Sequence, residues 1–290
     1  MPYSVRIYKS ANGNQSIVRQ LTEETSKEIT TNIKRSIWTA NSEIFFSDKT
    51  ILVEGGELYL IPSLLDYLEG SSQILDYSKY SIARVNGKGN FLMYIKMLSE
   101  FDIKWFVIGD LDCYKETVSS ITKYLKLDKV TDEVIKVQNS INSDKPEPKK
   151  VLKRINNIGD NYDVQHLESA LKKVLDGEIN SEDEDLKNLV DFMSSRYTKG
   201  NPIELITKNI GLEEFRRIQK ILRNENIFIW NMGQLEDTYT DEAKQIKGSK
   251  DLKALEIAER IKEGAGLDSY LKNKDELISL KNHILKGHDH

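Results

Sequence analysis

The chain has 290 residues, 39% of them apolar and 30% charged, with one cysteine and a net charge of −4. Length and apolar content support a buried core and exclude a disordered chain, a disulfide framework or a cysteine-rich zinc module, and no apolar run nears the ~18–20 residues of a membrane span. The expectation is a soluble, cytoplasmic protein without a signal peptide, whose mild acidity argues at first against nucleic acid.

Residues 3–21 read as a β-hairpin: YSVRIYK and QSIVRQL alternate apolar and polar residues around an Asn-Gly turn. Ile29, Ile33, Ile37 and Ile44 then recur at helical spacing, which predicts a helix over 23–46. Residues 1–47 are too small for a core of their own and form a docking segment. A different rhythm starts at residue 48. DKTILVEGG is a strand ending in Glu and two glycines, and ELYLIPSLLDYLE is a helix. YSIARVNGKGN is a second strand running into a glycine-rich loop, FLMYIKMLSEF a second helix, and KWFVIGDLD a third strand ending in two aspartates. Strands this continuously apolar are buried on both faces, as in a parallel doubly wound sheet. Residues 127–215 are polar and helical, an insertion within a domain spanning 48–290. From 216 the α/β rhythm resumes, with the strand NIFIW, the acidic loop NMGQLEDTYTDEA and two amphipathic helices. The fold class is α/β, a sheet of about four mainly parallel strands flanked by helices, with a helical insertion and an N-terminal hairpin.

The acids fall at informative places. Glu54, Asp110 with Asp112, and Glu236 each follow an apolar strand. Parallel strands end on one edge, so three distant loops converge where open α/β sheets bind ligands. Four carboxylates in one volume repel each other unless cations neutralise them, and oxygen-only donors select Mg²⁺ or Mn²⁺ over zinc. Asp110 and Asp112, two apart on extended chain, are expected to point to the same side. Acids after strands also serve as helix N-caps, the competing reading for each one singly.

The strings ILVEGGELYLIPSLL, IGDLD and NIFIWNMGQLEDTY resemble the Toprim domain, and within it the OLD-family nucleases of the Gabija antiphage type, over about residues 40–126 and 215–265. The resemblance implies that Glu54 is the Toprim glutamate, Asp110 and Asp112 the metal-binding pair, and Glu236 the later acid of the site. It implies a catalytic lysine at Lys250, in KDLKALEIA, with Lys253 as a second candidate because Asp251 stands where the pattern has proline. The acid expected at position 58 is leucine, which leaves Glu57 as the substitute ligand, one residue early on a helix and so rotated by about 100°. The implied activity is a Mg²⁺- or Mn²⁺-dependent DNA endonuclease. Its implied setting is an ATP-regulated antiphage system, with an ABC-type ATPase domain or subunit as partner, since no P-loop motif occurs here, and with a homo-oligomeric assembly. A primase- or topoisomerase-like Toprim module and a non-catalytic interaction module are the alternatives. Lys88 in the NGKGN loop, and Lys145, Lys149 and Lys150 in a basic patch, are candidate DNA contacts. Tyr239 and Cys113, near the acids, are read as packing residues.

Overall fold

The computed structural model describes residues 5–9, 15–142, 169, 172–173, 176, 202–231 and 233–285. The hairpin forms from β1 (Val5–Lys9) and β2 (Ser16–Gln20), paired antiparallel with Ile7 opposite Val18. The helix expected over 23–46 is broken into α1 (Glu23–Glu28), α2 (Thr31–Thr39) and a 3-10 turn, Ser42–Phe46. Capping chemistry explains the break: Thr22 Oγ1 accepts from the Thr25 N–H and Thr30 Oγ1 from the Ile33 N–H, so each threonine starts a new helix. The isoleucines still reach the core, with Ile29, Ile33, Ile37 and Ile44 all buried.

The main sheet is parallel throughout, in the order β4-β3-β5-β6: β3 (Lys49–Val53), β4 (Tyr80–Arg84), β5 (Lys104–Gly109) and β6 (Ile227–Ile229). Alternate residues of each strand feed two separate hydrophobic layers. Leu52, Val107 and Ile227 pack with α5 (Phe91–Glu100), α6 (Thr117–Tyr124), α7 (Asp128–Asn142), α8 (Pro202–Asn209) and α9 (Leu212–Asn224). Ile51, Val53, Phe106, Ile108 and Phe228 face α3 (Glu57–Glu69) and, beyond a single turn, α4 (Ile74–Tyr77), the helices of the chain's last third: α10 (Asp241–Gln245), α11 (Lys250–Lys262), α12 (Leu267–Tyr270) and α13 (Lys274–Leu285). Each fully buried aliphatic of these strands contributes roughly 1.5–3 kcal/mol, and two polar residues within them, Thr50 and Ser81, hydrogen-bond each other at 3.1 Å across β3 and β4. This is the expected doubly wound α/β sheet and it is consistent with a Toprim fold.

The sheet's topology places the site. From β3 the chain runs to β4 on one side, then crosses to β5 on the other, and such a reversal opens a crevice at the carboxyl ends of the strands. The two ends of the expected insertion, α7 and α8, pack into the first layer through Val134, Val137, Ile141 and Ile206. The middle of that insertion, with Lys145, Lys149 and Lys150, lies outside the described residues.

Candidate active site

The crevice holds a pocket of about 490 Å³ lined by four of the acids, Glu54, Glu57, Asp110 and Glu236, together with Arg84, Lys250 and Asp251. The loops supplying them are stitched together by backbone. Trp230 N–H donates to the Gly109 carbonyl at 3.0 Å, and Leu111 N–H to the Gly233 carbonyl at 2.5 Å. These bonds carry β5–β6 pairing past the strands and bring Asp110 beside the loop containing Glu236. Asp110 stands at the N-cap position of its 3-10 turn but its side chain makes no capping bond there: its Oδ1 accepts instead from the Leu235 N–H of that other loop, at 3.3 Å. Capping falls instead to Asp237, whose Oδ2 accepts the Gln234 N–H at 3.0 Å and leaves its neighbour Glu236 to the pocket.

Glu57 reaches the cluster although it lies one residue early. It is the first residue of α3 and is 4% exposed, with Oε2 accepting from Gly55 N–H at 3.1 Å and Oε1 from the buried Trp230 indole at 3.3 Å. The rotation that turns Leu58 toward the apolar layer turns Glu57 into the pocket that Asp110 also lines. Burial pushes the Glu57 carboxyl up, against the pull of its hydrogen-bond donors. Asp110 is pushed up to about 8, first by burial and then by the charges of Glu57, Glu236, Asp112 and Glu54. Each ionised neighbour makes the next ionisation harder, so the acids of this pocket outweigh its cations, Arg84 and Lys250.

Asp112 departs from expectation. The strand ends at Gly109 and the chain tightens into a 3-10 turn over Leu111–Lys115, closed by Cys113 N–H to the Asp110 carbonyl at 2.9 Å. Asp110 and Asp112 therefore do not share the alternation of an extended strand. Asp110 lines the acid pocket, while Asp112 lines a neighbouring groove of about 420 Å³ with Lys88, Lys115 and Thr117. Asp112 is ion-paired there with Lys88 Nζ. Burial lowers the Lys88 ammonium, but the bond and charge of Asp112, with Glu54 behind it, leave it raised overall.

Lys250 opens α11 behind the Ser249 cap, its Nζ 3.2 Å from Glu236 and 2.7 Å from Gln234 Oε1. Lys253 bonds the Lys244 carbonyl at 2.9 Å and does not line the pocket. Tyr239 and Cys113 are both 1% exposed and serve packing. Arg84 is a residue that sequence reasoning passed over. It donates from Nε to the Glu54 carbonyl at 3.1 Å and pairs with Asp251 at 2.5 Å, tying β4 to α11. Asp251, where the family resemblance has proline, thus has a partner in this chain. The rule that singled out acids at strand ends finds Arg84 as well, once cations are admitted to it.

Among the described residues no group of three or more Asp, Glu, His or Cys side chains stands close enough to hold an ion as placed. The geometry shows why: Lys88 and Lys250 draw Asp112 and Glu236 to themselves, and Trp230 holds Glu57. The donor set nonetheless fits a hard divalent cation, being all carboxylate oxygen around a pocket whose central acid is held up by its neighbours.

Residues 45–112 match the family model described as the TOPRIM domain of overcoming lysogenization defect (OLD) protein-like proteins. The matched stretch contains Glu54, Glu57, Lys88, Asp110 and Asp112 and stops short of Glu236 and Lys250. The C-terminal region of the Xanthomonas campestris pv. campestris OLD protein aligns at 17% identity and a TM-score of 0.35, over 83% of this chain and 94% of that one. The C-terminal region of the Burkholderia pseudomallei OLD protein aligns at 16% identity and a TM-score of 0.25, over 74% and 98%. No curated protein matches the sequence.

Proposed function

We propose that the protein is a divalent-metal-dependent DNA endonuclease, the nuclease part of an ATP-regulated antiphage system in which an ABC-type ATPase domain or subunit is the partner. One observation carries the reading: acids from three separate loops, with Lys250 and Arg84, line a single pocket at the carboxyl edge of a Toprim-like sheet. The family match over residues 45–112 supports a nuclease-type Toprim module.

In this reading Asp110, Asp112 and Glu236 would hold Mg²⁺ or Mn²⁺, with Glu57 as a further carboxylate lining the same pocket as Asp110 and Glu236. Bound divalent ions lower the pKa of an attacking water and stabilise the leaving 3′ oxygen. Glu54 accepts the proton of that water. Lys250 and Arg84 offset the charge that grows on the scissile phosphate, a task suited to cations already aimed into the pocket. A topoisomerase-like route needs an accessible tyrosine, and Tyr239 is buried with its hydroxyl pushed up by burial and by Glu236.

The test is conversion of supercoiled plasmid to nicked or linear forms with Mg²⁺ or Mn²⁺. Glu54→Ala and Asp110→Ala are expected to lose at least about 10²-fold in rate while keeping the fold, as expected when a group that directly stabilises the transition state is removed. Absence of conversion with either metal, alone and with an ATPase partner added, overturns the reading in favour of a non-catalytic module.

A further inference from the structure

The loop that carries Lys88, the ion-pair partner of Asp112, borders two cavities. Asn86 and Gly87 line the acid pocket, and Lys88, Gly89 and Asp112 line the neighbouring groove with Lys115 and Thr117. The loop between them is built to move a side chain. Asn86 and Gly87 both sit at positive φ, 53° and 113°, and a side chain at Gly89 would meet nothing within 4 Å. Its base is fixed: Asn90 Nδ2 donates to the Val85 and Asn86 carbonyls at 2.9 and 3.0 Å, and Thr117 Oγ1 donates to the Lys88 carbonyl at 3.4 Å. The Lys88 side chain, 38% exposed and held by Asp112, can change partner without disturbing these bonds. Asp112 is the one acid among the five candidates that does not line the acid pocket, and Lys88 is what it is paired with.

We infer that Lys88 is a positioning residue that competes with the metal for Asp112, so that metal capture releases a lysine for the DNA backbone. The inference rests on the metal-site reading above and deepens it. In the metal-free protein Lys88 neutralises Asp112 and holds it on the groove side. A divalent ion in the acid pocket would offer Asp112 a doubly charged partner in place of a singly charged one. Lys88 Nζ, on the loop that lines both cavities, would then be available to a phosphate oxygen of the DNA backbone. Metal binding and DNA binding are thereby coupled, each favouring the other by the same factor.

The experiment measures Mn²⁺ affinity by titration calorimetry, and affinity for a fluorescein-labelled duplex by anisotropy at fixed salt, with and without Mn²⁺. Lys88→Met is expected to tighten Mn²⁺ binding about 5- to 10-fold, because a competitor is removed, and to weaken Mn²⁺-dependent duplex binding by a similar factor. Lys88→Arg keeps both properties. In an Asp112→Asn background, Lys88→Met has no effect on Mn²⁺ affinity, since there is nothing left to compete for. A merely structural lysine predicts the opposite sign, a loss of Mn²⁺ affinity. Unchanged or weakened Mn²⁺ binding in a folded Lys88→Met or Lys88→Gln protein overturns the inference while leaving the metal site intact, as does a Lys88 effect that persists without Asp112. Failure of the unmodified protein to bind Mn²⁺ overturns the proposed function and the inference together.

Discussion

Glu57 shows how much hangs on one residue's place at a helix start. Its carboxylate accepts from the Trp230 indole with almost no exposed surface, and its charge is one of those that raise Asp110. Glu57→Gln keeps the acceptor for the indole and removes the charge. The metal-free variant is expected to melt no lower than the parent, and Mn²⁺ affinity to fall roughly tenfold, the effect of ~1.4 kcal/mol. Unchanged affinity in calorimetry removes Glu57 from the metal site. Glu276, on α13 and outside the acid pocket, offers a pH test. It is 7% exposed, accepts the Asn231 N–H at 2.7 Å, and burial raises it above its ordinary 4.5 despite that bond and the nearby Arg223. A carboxyl raised in the folded state stabilises while protonated: its contribution is complete below pH 4.5 and is lost as pH rises through the folded value. Glu276→Gln keeps the acceptor without the charge, so it is expected to raise Tm at pH 8 by about 2–4 °C, the equivalent of ~1 kcal/mol in a chain of this size. At about pH 4.5 it should change Tm little. Equal shifts at both pH values in a melting series reject the argument.

Helices reach the site through glycines chosen for closeness. A Cβ on Gly56 would meet Ala254 Cβ at 2.7 Å, so α3 and α11 approach only because this position has no side chain. The contact sets how far Lys250, at the start of α11, stands from Glu54. Gly56→Ala is expected to cost about 1–3 kcal/mol by overpacking and to lower Mn²⁺-dependent cleavage, and Ala254→Gly in the same chain should recover both. Denaturant melts and plasmid assays of the pair decide it: a double variant as poor as the single one places the fault elsewhere than in this contact. Legibility from sequence divides at the same scale. Strands β3, β5 and β6 are legible because an apolar run followed by acids is the pattern of a buried parallel strand reaching a polar edge. The helix over 23–46 is not, because apolar period shows which residues are buried and is silent on Thr22 and Thr30 as caps. The relation of Asp110 to Asp112 escapes the sequence because the strand stops at Gly109, where a Cβ would lie 2.8 Å from Cys113 Sγ of the turn folded back beneath it. Long-range pairs such as Arg84 with Asp251, or Glu57 with Trp230, join positions more than 150 apart and leave no local pattern.

Across the whole molecule, the two helical layers leave the hairpin as a satellite with an inverted orientation. Ile7 and Val18, facing each other across the strands, are 68% and 57% exposed, while the opposite, polar face lies on the domain. Arg6 is the main attachment, donating to the carbonyls of Phe101, Asp102 and Ser47 at 2.9, 3.0 and 2.9 Å. Tyr8 adds a hydrogen bond to Asp102, and Arg19 stands 3.7 Å from the same carboxylate. These attachments are polar, and the apolar Val5 and Ile7 only line an open cavity beside Ile37, Phe45 and Phe101 of the first layer, so the hairpin is expected to detach without unfolding the sheet. Charged hydrogen bonds contribute ~1.5–3 kcal/mol each when partly buried, and Arg6→Met removes three at once. Amide exchange over 5–9 and 16–20 is expected to accelerate at least about tenfold, while protection in β3–β6 and affinity for Mn²⁺ stay as they were. Uniform loss of protection across the sheet shows instead that the hairpin is integral to the core. The acid pocket lies at the carboxyl edge of the sheet, on residues that contact neither Arg6 nor its acceptors, so its chemistry should survive the loss of the hairpin.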